Sequence, residues 1–189
     1  MSIQPVDPSI ALLKAYEMDK SNEELTREYG VSDIVKLASN ENPMGCSPYV
    51  TLAITSKLHE LSRYPDGAGQ GLKAAIADFY GAASEQVILG NGSNELLKII
   101  VNTFLDQQDT LIYSQYALSD YELASLAVTE VAIQVPAKQF GHDLAAMLHT
   151  LRTTPTAKLV LITSPNNPTG TLLTLEEIIA FIKEVPPQV

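Results

Sequence analysis

Lys158-Leu159-Val160-Leu161-Ile162-Thr163-Ser164-Pro165-Asn166-Asn167-Pro168-Thr169-Gly170 decides how the rest of the chain is read. Its first six residues form a Leu/Val/Ile run, apolar on both faces, which suits a strand covered by helices on each side. The last seven are rich in Asn, Pro and Gly, the ordinary residues of turns. Taken alone, Ser164–Gly170 could be no more than a strand-to-helix connection. In open α/β sheets, however, ligands sit outside the carboxyl ends of the strands, which is where this loop falls.

Working outward, strand and helix signals alternate from about residue 69 onward. Four segments carry the one-sided apolar stripe of an amphipathic helix. They are Leu72/Ala75/Ile76/Phe79, Leu97/Ile100/Val101/Phe104, Leu144/Met147/Leu148/Leu151 and Leu175/Ile178/Ile179/Ile182. The last is preceded by Thr174 with Glu177 three residues on, a capping-box pattern. Gly141-His142-Asp143 marks the start of the third. Short apolar runs at Gln86–Leu89, Thr110–Tyr113, Val131–Val135 and Lys158–Thr163 are the expected strands.

This alternation predicts an α/β fold with a mostly parallel sheet flanked by helices. Further helices are expected at Tyr49–Leu61 and Leu118–Ala127. Residues 1–35 are expected to form an N-terminal arm with one short helix, and residues 36–189 part of a larger domain. Val189 follows directly on a helix, where the pattern calls for another strand, so the domain is expected to be truncated there.

Composition sets outer bounds. At 189 residues the chain is one domain, or one domain and part of another, by a prior of about 150 residues each. A hydrophobic share of 46% with 18% charged residues describes a folded chain rather than a disordered one. The net charge of -10 argues against a nucleic acid or an anionic membrane as partner. A phosphorylated ligand stays open, since a few backbone N–H groups can hold one locally. A single cysteine, Cys46, excludes an intrachain disulfide, and no secretory signal or ~20-residue apolar run is apparent. The expected location is the cytoplasm. His59, His142 and His149 lack metal-ligand spacing, and no metal is expected.

Four more strings carry chemistry. Leu89-Gly90-Asn91-Gly92-Ser93-Asn94-Glu95 runs from a strand signal into a helix start. Small residues there would let an anion reach the free N–H groups of the helix, although Ser93 or Asn94 could equally serve only as caps. Tyr113-Ser114-Gln115-Tyr116-Ala117 places an aromatic after a strand end, where it could stack on a flat ring or simply pack in the core. Ser62-Arg63-Tyr64-Pro65-Asp66-Gly67 and Lys36-Leu37-Ala38-Ser39-Asn40-Glu41-Asn42-Pro43-Met44-Gly45 both read as turns.

Together, in this order and spacing, the five strings resemble the histidinol-phosphate aminotransferase family, over about Tyr16 to Val189. Its members are pyridoxal 5'-phosphate (PLP) enzymes of fold type I, aminotransferase classes I and II. The resemblance implies that the chain is the first part of the large, PLP-binding domain. It also implies roles. Asn167 would hydrogen-bond the phenolic oxygen of PLP, with a cis bond before Pro168. Gly92, Ser93 and Asn94 would cradle the phosphate, and Tyr116 would stack on the ring, its Ser-Gln-Tyr-Ala context matching a bacterial subgroup. Tyr64 would reach the phosphate of a neighbouring subunit in a homodimer. Asn42, with Glu41, would line the substrate pocket, and Tyr16 would contact substrate phosphate.

The implied reaction moves an amino group between L-histidinol phosphate and 2-oxoglutarate, with glutamate as the other amino compound, in histidine biosynthesis. The family's Schiff-base lysine, pyridinium-facing Asp and substrate-binding arginines all follow the Asn-Pro-Thr-Gly motif. None is matched before Val189. Lys98, Lys158 and Lys183 are expected to be solvated surface residues. On this reading the chain contains no catalytic residue and is inactive alone. Two other readings stay open: another fold-type I activity, such as an aromatic aminotransferase or a threonine-phosphate decarboxylase, or a non-catalytic paralogue serving as a dimerisation module.

Overall fold

A computed structural model describes residues 20–37, 39–117, 128–129 and 131–189. The chain divides into two compact units, one containing Ile88–Val189 and the other spanning Ala15–Val87. Tyr16 and the helix expected at Leu118–Ala127 lie outside the described residues.

The described part of the Ala15–Val87 unit holds three α-helices: α1 (Asn22–Tyr29), α2 (Pro48–Lys57) and α3 (Gln70–Tyr80). Local signals set their ends. Ser21 and Glu24 form a capping box at the start of α1, and Gly30, with φ 67°, ends it. Ser47 caps α2, with Pro48 at its first position. A 3-10 turn, Leu58–Glu60, completes the segment expected as one helix at Tyr49–Leu61.

The Ile88–Val189 unit is a three-layer α/β/α arrangement. Its elements run α4 (Ser93–Phe104), β1 (Thr110–Ser114), β2 (Val131–Val135), α5 (Leu144–Thr153), β3 (Ala157–Val160) and α6 (Leu175–Glu184). The three strands are all parallel, in the order β2-β1-β3. Central β1 is buried along its whole length, whereas β2 and β3 are only partly covered. Alternate residues of β1 feed opposite faces. Leu111 and Tyr113 join Val101 and Leu105 in one cluster, which brings α4 onto the first face. Ile112 joins Val135, Met147, Leu151 and Phe181 in the other, which brings α5 and α6 onto the second. Leu111, Ile112, Met147 and Val101 are completely buried, each contributing about 1.5–3 kcal/mol by leaving water.

Two strand expectations change. Gln86–Leu89 is not a strand. Ser84–Gln86 forms a 3-10 turn, and Val87–Gly90 finds no ladder partner among the described residues. An apolar run becomes a strand only when a neighbour takes its N–H and C=O groups. Lys158–Thr163 yields a strand at Ala157–Val160. The Leu161 N–H still donates to the Ile112 carbonyl at 2.9 Å. Two residues on, the Thr163 N–H donates instead to His142 Nε2 at 3.1 Å, and the ladder ends.

Candidate functional site

The topology assembles the site. Parallel pairing of β1 with β3 sets the loops after their carboxyl ends side by side. Order β2-β1-β3 makes β1 the place where the connections change direction, the usual position of a ligand crevice. Helix α4 reaches β1 through residues 105–109, so its C-terminus lies at the amino end of the sheet. Twelve helical residues extend about 18 Å, roughly the length of the five-residue strand. The start of α4 is therefore carried to the carboxyl edge. Leu97, one turn in, packs against the same cluster as Ala117 and Leu161, which follow β1 and β3.

At that start the N-cap position is Gly92, and no side chain caps the helix. The capping role open to Ser93 and Asn94 is thus not taken up, and both are exposed. Gly92 has φ 87° and ψ 172°, a backbone region essentially reserved for glycine, and a Cβ added there would meet nothing within 4 Å. The Glu95 carboxylate turns back to accept from the Asn91 N–H at 2.5 Å and from Asn91 Nδ2 at 3.1 Å. Among the described residues nothing accepts from the Ser93 and Asn94 N–H groups, so the positive end of the α4 dipole is left for a ligand.

The loop after β3 is closed on itself through Asn166. Its N–H donates to Thr171 O at 2.8 Å, its carbonyl accepts from the Gly170 N–H at 2.7 Å, and its Nδ2 donates to Thr169 Oγ1 at 2.7 Å. Asn166 is 4% exposed, and its Nδ2 also donates to the carbonyl of Tyr116 at 3.0 Å. Both Ser164–Pro165 and Asn167–Pro168 are cis, the second as expected. Asn167, next to this anchored residue, is only half-buried, and its side chain makes no hydrogen bond to another described residue. One asparagine is structural, and its neighbour's side chain has no partner among the described residues.

Tyr116 is 36% exposed and its ring lies against Phe140, centroids 5.6 Å apart at 34°. The arrangement offers three things at one edge: unengaged helix N–H groups for an anion, an accessible aromatic face, and a free amide donor. That combination fits a flat, phosphate-bearing cofactor.

The other two described candidates belong to the Ala15–Val87 unit. Asn42 is occupied by its own turn: Oδ1 accepts from the Met44 N–H at 3.0 Å, and Nδ2 donates to Gly45 O at 3.0 Å. Glu41 pairs with Lys36 at 2.7 Å. Tyr64 is fully exposed. Its motif is organised by Asp66, whose carboxylate accepts the N–H groups of Ala68 and Gln70 at 3.1 and 2.7 Å to start α3.

His142, set aside in the sequence, turns out to be 8% exposed and to fix the end of β3 through Thr163. Only the positional cue before α5 pointed to it. There Asp143 caps the helix through the Ala146 N–H at 3.0 Å. Lys98, Lys158 and Lys183 are exposed, as expected. No helix among the described residues is long and apolar enough to cross a membrane.

The family model described as aminotransferase class I and II matches residues 32–186. The chain belongs to the class I and II aminotransferases. Across all 189 residues it is 49% identical to histidinol-phosphate aminotransferase 1 of Psychrobacter arcticus and covers 50% of that protein. Among solved structures, histidinol-phosphate aminotransferase from Sinorhizobium meliloti, in complex with pyridoxal-5'-phosphate, superposes with a TM-score of 0.87 at 23% identity. That match covers 100% of this chain and 50% of the other. Aspartate aminotransferase from Thermus thermophilus superposes at 0.78 with 22% identity, covering 96% and 50%. The shared α/β architecture is therefore the aminotransferase fold, common to enzymes named for different substrates. This aminotransferase chain spans about half the length of the curated relatives it matches.

Proposed function

We propose that the chain is the cofactor-binding part of a PLP-dependent histidinol-phosphate aminotransferase. The observation that carries this reading is 49% identity, sustained over the full chain, to an enzyme of that name. The site supports it. PLP, when bound, supplies an electron sink for chemistry at the substrate's amino-bearing carbon. The uncapped start of α4, at Gly92, Ser93 and Asn94, would hold its phosphate. The Tyr116 ring would stack on the cofactor and exclude water. The amide of Asn167 would hydrogen-bond the phenolic oxygen and orient the ring. Two further roles rest on the family resemblance alone: Tyr64 would serve the phosphate site of a second subunit in a homodimer, and Asn42 would contact substrate.

The small-molecule substrates are L-histidinol phosphate and its keto partner, with glutamate and 2-oxoglutarate, and the setting is the cytoplasm. Proton transfer would fall to the family's Schiff-base lysine, which no motif matched here supplies, and Lys98, Lys158 and Lys183 are exposed.

The test uses the full-length parent and this chain in parallel. The parent should show a visible PLP band that borohydride makes permanent, and should form glutamate from L-histidinol phosphate and 2-oxoglutarate. The 189-residue chain alone should show no turnover. Loss of one hydrogen bond to a charged group predicts that Asn167→Ala lowers the parent's turnover about 10- to 100-fold. A parent that releases CO2 from a phosphorylated amino acid, or transaminates only aromatic amino acids, would replace the substrate assignment while keeping the cofactor.

A further inference from the structure

Lys138-Gln139-Phe140-Gly141 is a two-residue reverse turn, closed from both sides. The Lys138 N–H donates to Gly141 O at 3.0 Å, and the Gly141 N–H donates to Lys138 O at 2.9 Å. Its central residues have φ 50° at Gln139 and φ 64° at Phe140. Turns of this kind favour Asn-Gly, because two successive left-handed residues are disfavoured for side chains with a Cβ. A phenylalanine in this position is strained, and burial does not compensate it, since Phe140 is 66% exposed. The ring contact it makes is with Tyr116.

Tyr116 is also held through its backbone. Its carbonyl accepts from buried Asn166, 50 residues away in sequence. The residue before it, Gln115, takes the Val135 carbonyl with its N–H at 2.8 Å and the Ala137 N–H with its side chain at 3.1 Å. The segment carrying Tyr116 is thus tied to the loop after β3 and to the strained turn after β2.

We propose that Phe140 and Asn166 are positioning residues for Tyr116: Phe140 backs its ring, and Asn166 locks its backbone to the loop that carries Asn167. The aromatic face and the amide donor are then set as one rigid pair. This rests on the PLP reading above, with Tyr116 as the residue that stacks on the cofactor. The strained turn is the cost of delivering a ring to that place.

The deciding variant is Phe140→Gly in the full-length parent, because it removes the ring while giving the left-handed position the residue that adopts it most readily. The expected result is an apo melting temperature equal to or above that of the unaltered protein. PLP affinity, titrated by fluorescence into the apo protein, should weaken about 2- to 12-fold, the worth of one aromatic pair. Phe140→Tyr should restore affinity to within about twofold. Asn166→Asp, which keeps the shape but loses the donor, should weaken PLP and alter its visible band. Unchanged PLP affinity in Phe140→Gly would overturn the proposal while the PLP reading stands. So would a parallel fall in apo melting temperature and affinity, since that is a purely structural role. An unaltered parent that binds no PLP would overturn both.

Discussion

The two units of this chain are organised by different physics. In Ile88–Val189 a sheet is sandwiched between helices, and residues on both faces of β1 are completely buried. In Ala15–Val87, Ala77 is the one buried apolar residue among those described, while Leu37, Met44, Leu61, Tyr64 and Phe79 are at least 78% exposed. The second unit owes its shape to caps and turns that each close within about four residues: the Ser21/Glu24 box, the Asn42 turn, the Asp66 turn. Local signals suffice to start and stop helices. They do not by themselves give apolar faces anything to pack against, so motifs of equal clarity in the sequence end in different surroundings.

The largest test of this contrast is a matched pair of truncations. Leu111→Ala removes a completely buried side chain from the centre of the sheet and should cost about 2–5 kcal/mol in denaturant unfolding. In the same 189-residue chain, Leu61→Ala, at a residue 78% exposed there, should stay within about 0.5 kcal/mol. Equal losses would break the contrast.

A smaller effect sharpens it. Thr174 at α6 and Ser21 at α1 make the same capping box in the two units. Replacing either with Ala should cost about 1 kcal/mol in both, because caps act locally. Read by amide exchange, the loss at Ser21 should stay confined to α1. Spreading of exchange through the whole Ala15–Val87 unit would show tighter coupling than its sparse burial implies.

The smallest effect is electrostatic. The Lys20 ammonium hydrogen-bonds Glu28 and holds its carboxyl below the ordinary glutamate range, while the same bond raises Lys20. A lowered carboxylate stabilises the fold above its ordinary pKa, and that stability is lost as pH falls through the folded value. The raised ammonium acts below its own ordinary pKa and is lost as pH rises through the folded value. A slight gain for the native protein over Glu28→Gln should therefore persist near neutral pH and vanish in acid. Both groups are fully exposed, so a salt titration should screen it.

The elements with strong periodicity were legible in advance. The stripes beginning at Leu72, Leu97, Leu144 and Leu175 became α3, α4, α5 and α6, and Val131–Val135 became β2 with the same ends. Gln86–Leu89 misled because strand formation depends on a neighbour that composition does not report. The site motifs were recognisable as strings, yet their division of labour was not. Only the family resemblance told Asn167 from Asn166; in the structure Asn166 makes four hydrogen bonds, whereas the Asn167 side chain has no hydrogen-bond partner among the described residues. Phe140 carried no local signal and His142 only its position before α5, since their partners, Tyr116 and Thr163, lie far along the chain.

The sequence by itself determined what a few neighbouring residues can decide: where helices begin, which runs are apolar on both faces, which turns need glycine, and which family the ordered motifs resemble. Helical and strand periods repeat within four residues, and caps close within the same span. Only the tertiary structure decided which polar groups remain available to a ligand. That depends on through-space partners up to 50 residues apart, as between Asn166 and Tyr116. A hydrogen-bonding group is free or engaged according to what the fold sets against it, and no local pattern contains that information.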